Sequence, residues 1–122
     1  MYRTLCLAVA VALFAAPALA SDRCVGPYAP QMPDGATATK EQILTARDDA
    51  MDFMTKSDAY QECLLKSLKV EKGVAARDKK DFDPKIEQDY IAKVDANQAE
   101  KERVGAEFNE SANAYNAAHP GN

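Results

Sequence analysis

Three sets of side chains in this sequence have the chemistry to exchange bonds, move protons or hold a metal. They are the thiols Cys6, Cys24 and Cys63, the imidazole of His119, and an acidic, thioether-bearing stretch containing Asp48, Asp49, Met51, Asp52 and Met54. A general base needs an orienting partner and a pocket. The one histidine sits in a His-Pro-Gly tail, where it reads as a solvated helix-terminal residue. Met51 and Met54 have the softness to take copper(I), but methionines at helical spacing beside Phe53 read as core filler. Neighbouring carboxylates on a helix read as a solvated face, and the run Asp78 to Asp83 lacks the glycine and closing glutamate of a calcium loop. No phosphate-binding glycine loop, Cys-x-x-Cys pair or haem attachment sequence occurs. The expectation is a non-enzyme with no catalytic residue, metal or cofactor.

The thiols acquire meaning from the start of the chain. Arg3, the apolar run Leu5 to Ala16 and the small-x-small site Ala18-Leu19-Ala20 together read as a secretory signal peptide cleaved after Ala20. The run is shorter than the roughly 20 apolar residues that cross a bilayer. Ser21-Asp22-Arg23 follows the site, so no cysteine is placed for a lipid anchor, and no second apolar run predicts a membrane span after cleavage. Residues 1–20 are thus a signal, and the destination is periplasmic or secreted. Cys6 leaves with it, and Cys24 and Cys63 remain where disulfides persist, allowing one intramolecular bridge. A buried free thiol at Cys63 and an intermolecular bridge through Cys24 are the alternatives.

Cleavage also changes the composition. The full chain is 47% hydrophobic, but the first 20 residues hold 17 of those residues. In the remaining 102, Leu, Ile, Val and Phe number 15, under the roughly one-fifth at which a compact core becomes hard to build. A large enzyme-like globule with a deep pocket is not expected on this count. Loss of Arg3 takes the net charge from −4 to −5, and no basic stripe stands out, so nucleic acid is not an expected partner.

What remains is patterned for helices. Residues 21–38 carry Pro27, Pro30 and Pro33 with Gly26 and Gly35, which stops helix or sheet from propagating and predicts an extended arm of polyproline character. Asp34-Gly35 signals a turn, and Thr39-Lys40-Glu41-Gln42 fits a capping box. Ile43, Ala46, Ala50, Phe53, Ser57, Tyr60, Leu64 and Ser67 then recur at alternating steps of three and four, a heptad seam that Leu44, Met51, Met54, Leu65 and Leu68 widen. This helix stops at Gly73 or runs to about Lys80; the absence of another turn signal favours the longer form. Asp83-Pro84 predicts an N-cap and first helical residue. The second helix runs over 84–118 to a tail at 119–122, its inner stripe being Ile86, Tyr90, Val94, Asn97, Lys101, Val104, Phe108, Ser111 and Tyr115.

The predicted fold is therefore all-α: a long antiparallel two-helix hairpin over 39–118, coiled-coil-like, with an extended Pro-rich N-terminal arm. A turn near residues 80–83 brings Phe53 to Phe108 and Leu68 to Val94, and sets Leu64 and Tyr60 opposite Asn97 and Lys101. That register puts Cys63 beside the most polar part of the second helix, where a covalent staple would compensate for weak packing. Cys63 lies roughly 36 Å along the first helix from Thr39, and the 15 residues from Cys24 to Thr39 extend about 46 Å as polyproline. The arm reaches if it doubles back, laying Tyr28, Pro30 and Met32 over apolar surface.

The segments Met32 to Lys40 and Arg103 to Asn109 resemble recurrent stretches in small exported helical proteins of Gram-negative bacteria that have no assigned function. The resemblance implies a location and a helical fold and carries no catalytic residue. The outline is also similar to helical-hairpin periplasmic chaperones, from which the acidic balance and the absence of a basic substrate-facing surface depart. The expected role is a structural or protein-interaction module of the cell envelope. Its apolar seam of Ile43, Phe53, Tyr60, Leu64, Leu68, Ile86, Tyr90, Val94, Val104, Phe108 and Tyr115 would serve self-association or an unknown protein partner. The alternative is a small periplasmic protein binding a metal or a cationic ligand near Asp48 or Asn97.

Overall fold

A computed structural model describes residues 23–121. The expected signal at 1–20, with Cys6, and the first two residues of the arm lie outside them. Two helices, α1 (Lys40–Arg77) and α2 (Pro84–Ala118), pack against each other as a hairpin. Among the described residues no helix is long and apolar enough to cross a membrane.

The caps decide where each helix begins. Thr39 Oγ1 accepts from the Gln42 amide at 3.2 Å while Gln42 Oε1 accepts from the Thr39 amide at 2.8 Å, the reciprocal box expected of that tetrad. Asp83 Oδ1 accepts from the Lys85 amide at 2.9 Å, and Pro84 takes the first helical position. α1 passes through Gly73 but stops at Arg77, three residues short of the expected Lys80. Its end is a Schellman motif: the Lys80 and Lys79 amides donate to the Ala75 and Ala76 carbonyls, with Lys79 left-handed at φ 52°. A lysine occupies the place where glycine normally announces such a stop, so no turn residue marked it.

The two stripes face each other. Every residue of the α2 stripe is buried or half-buried, as is every residue of the α1 seam. They form two apolar clusters. One holds Cys24, Leu64, Leu68 and Tyr90, with Val94, Ile86 and Phe82 packed on it. The other holds Ala50, Phe53 and Val104, with Phe108, Met54, Ala29 and Met32 around it. Phe53 thus shares a cluster with Phe108, and Leu68 with Val94, as the turn position requires.

Tyr60 lines the same groove as Asn97, while the bonds of the polar pair go to polar partners: Asn97 to Ser57 and Gln61, and Lys101 to Asp58. Leu64 is left wholly inside an apolar cluster. Cys63 packs on that same cluster, so the staple borders good packing.

Candidate functional site

The molecule's chemistry is concentrated along the groove between the helices, against which its own N-terminal arm lies. Cys24 and Cys63 are joined by a disulfide, with Cα atoms 5.8 Å apart. From that point the chain runs back along α1 toward the start of the helix. Met32 lies beside Ala46 and Thr45, and Pro33 reaches Ser111 of α2. Eight residues from Cys24 to Met32 at about 3.1 Å each cover ~25 Å. The 17 residues from Cys63 back to Ala46, at about 1.5 Å each, cover the same length. The match is that of a polyproline rise against a helical one.

Exposure along the arm repeats every three residues, the polyproline period. Gly26, Ala29, Met32 and Gly35 form the side turned to the helices: Gly26 lies against the Tyr60 ring, Ala29 and Met32 join the Phe53 cluster, and Gly35 abuts Ser111. Pro27, Pro30 and Pro33 are half-buried. Val25, Tyr28, Gln31 and Asp34 face outward, Tyr28 at 99% exposure. Of the three side chains expected to cover apolar surface, Met32 packs in the core cluster and Pro30 lies near Phe53. Tyr28 points to solvent, its covering place being taken by Ala29 one residue on. Asp34 closes the arm with an Asx turn, its side chain accepting from the Ala36 amide at 3.0 Å and its carbonyl from the Thr37 and Ala38 amides.

Between the clusters lies a polar layer. Asn97, 8% exposed, donates through Nδ2 to Ser57 Oγ at 3.1 Å and accepts at Oδ1 from Gln61 Nε2 at 2.9 Å. Among the described residues no buried side-chain nitrogen or oxygen lacks a partner. Asn97 looked from the sequence like an interruption of the apolar stripe; with Ser57 at a seam position opposite, it is a satisfied layer. Ser111, 5% exposed, donates to the Pro33 carbonyl at 2.6 Å and ties the arm to α2.

The expected seam residues are therefore placed inward. Phe53, Leu64, Tyr90 and Val104 are nearly or wholly buried, while Ile43, Tyr60, Ile86, Val94, Phe108 and Tyr115 are half-buried and Leu68 is buried. The seam closes within one chain, and what stays outside is its flanks, Leu44, Met51, Leu65, Val70, Val74 and Ile91. Among the described residues no group of three or more metal-ligating side chains converges. Asp48 pairs with Arg47 and Asp52 with Lys56. His119 stacks on Tyr115 with ring centroids 4.3 Å apart, its Nδ1 3.0 Å from the Tyr115 carbonyl, as a cap on α2. On the outer face of α2, Arg103 grips Glu100 and Glu107, and its hydrogen bond holds the Glu100 carboxyl below the usual carboxylate range.

The chain matches no known protein family, no curated protein and no solved structure.

Proposed function

We propose that this chain is an exported, non-enzymatic helical protein that serves as a structural or protein-interaction module of the cell envelope. The observation that carries the reading is the Cys24–Cys63 disulfide that ties the arm to α1. Such bonds persist in oxidising compartments and are rare in reducing ones, which agrees with the signal-like Arg3 to Ala20. The arm packs Ala29 and Met32 onto the hairpin core, and among the described residues the buried side-chain polar atoms are satisfied internally. With the seam closed inside the hairpin, contact with a second copy or an envelope partner falls to the flanking apolar residues, among them Met51 at 63% and Leu65 at 48% exposure.

Light scattering on the mature chain with an environment-sensitive hydrophobic dye tests the interaction role. Self-association, or dye binding that Leu65→Glu and Met51→Glu abolish, is expected. A strict monomer that binds no dye contradicts it.

A further inference from the structure

We propose that the Cys24–Cys63 bridge is a reducible latch: exchange with a dithiol frees residues 23–28 as a flap, while the rest of the arm and both helices stay in place. The arm is held in two different ways. From Ala29 to Gly35 it is fixed by packing and hydrogen bonds: Ala29 and Met32 in the Phe53 cluster, Pro33 on Ser111, and the Asp34 turn. At the other end the restraints are the disulfide and the packing of Cys24 on Leu64, Leu68 and Tyr90 that the disulfide holds in place; from Val25 to Tyr28 there is little else. Val25 is 85% exposed and Tyr28 99%, and no hydrogen bond joins residues 25–28 to the helices. Gly26 lacks the side chain that would grip the Tyr60 ring beside it. Beneath this part lies an open groove of about 330 Å³ that includes Tyr60, Asn97 and Glu100, with Pro27 and Tyr28 as its rim. Removing the latch uncovers the edge of the polar layer and one face of Tyr60.

The surroundings of the two sulfurs set the route of exchange. Cys63 is half-buried and Cys24, at 9% exposure, is the more enclosed of the two, so the incoming thiolate attacks Cys63 Sγ and forms a mixed disulfide there. The electron pair of the broken S–S bond leaves on Cys24 Sγ. The Ser67 hydroxyl lies 3.7 Å away and is placed to donate to that sulfur before it takes a proton from water. The second thiol of the dithiol then displaces Cys63, leaving two cysteine thiols on the protein and the reagent oxidised. Stabilising the leaving thiolate speeds exchange, which makes Ser67 a positioning residue for the latch.

Nuclear magnetic resonance of the ¹⁵N-labelled mature chain, before and after dithiothreitol, reads this out. The heteronuclear NOE of Val25, Gly26 and Tyr28 should fall to values of a flexible chain, while Ala29, Met32, Gly35 and both helices keep rigid ones. Rigid values at residues 25–28 after reduction, or loss of the helical circular dichroism signal, overturns the latch. With glutathione as the trapping thiol, the adduct is expected on Cys63, and Ser67→Ala should slow reduction several-fold at unchanged helicity. An adduct on Cys24, or an unchanged rate, overturns the route.

Discussion

Gly35 is a glycine for reasons of space. A Cβ at that position would stand 1.8 Å from the Ser111 carbonyl oxygen, so any side chain must lift the arm from α2. Gly35→Ala is expected to cost about 1–3 kcal/mol, the range of overpacking in a tight contact, measured by urea denaturation. The sequence showed this glycine only as half of an Asp-Gly turn signal, because a contact across 76 positions leaves no local trace. Lys79 presents the opposite case. It holds a left-handed conformation that costs a residue with a Cβ roughly 1–2 kcal/mol. Lys79→Gly should recover part of that and raise the melting temperature. Asn97 is a third example: Asn97→Ala leaves Ser57 and Gln61 facing a void, at an expected cost of about 1–3 kcal/mol.

At the level of elements, what was legible followed from short-range chemistry. Thr39-to-Gln42 and Asp83-Pro84 specify the helix starts through side chains three residues apart or fewer, and the seam from Ile43 to Ser67 specifies the buried face by its period alone. The end of α1 was not legible, since the Schellman stop at Lys79 rests on backbone geometry adopted by a residue that does not advertise it. In the packed hairpin polar meets polar at Asn97, and Cys63 packs with Leu64 and Leu68. α2 also has a pH-sensitive outer edge. Arg103 depresses the Glu100 carboxyl below its ordinary 4.5, so the pair supports the helix above that pH. That support is lost as pH falls through the depressed value. Being solvent-exposed, the pair contributes little to overall stability, and the direct check is titration. The Glu100 side-chain midpoint should lie below 4.5 by carbon-13 resonance and return toward it in Arg103→Gln.

On the scale of the whole molecule, the arm completes a core that two helices of this composition could not. A hairpin with 15 Leu, Ile, Val and Phe residues in its last 102 would leave Phe53 and Phe108 wet on one side; Ala29 and Met32 cover them. The bridge holds the arm's tip across a sequence separation of 39. On the loop-closure account it contributes about 4 kcal/mol, of which the entropic part acts on the unfolded chain. Cys63→Ser should therefore lower the melting temperature by more than about 10 °C while leaving the helices folded at room temperature, as the latch requires. The candidate site was visible in the sequence as two cysteines and three prolines at a spacing of three. Which face of the arm met the helices was not, because Ala29 and Tyr28 differ in fate only through the phase of a threefold turn. The account as a whole joins export to the bridge, and one mass spectrum of the intact protein recovered without reduction from its native cells tests both. A chain beginning at Ser21, two hydrogens lighter than its dithiol form and yielding a Cys24–Cys63 peptide from a single copy is the expected result; a chain that keeps Met1 and carries free thiols at Cys24 and Cys63 contradicts it.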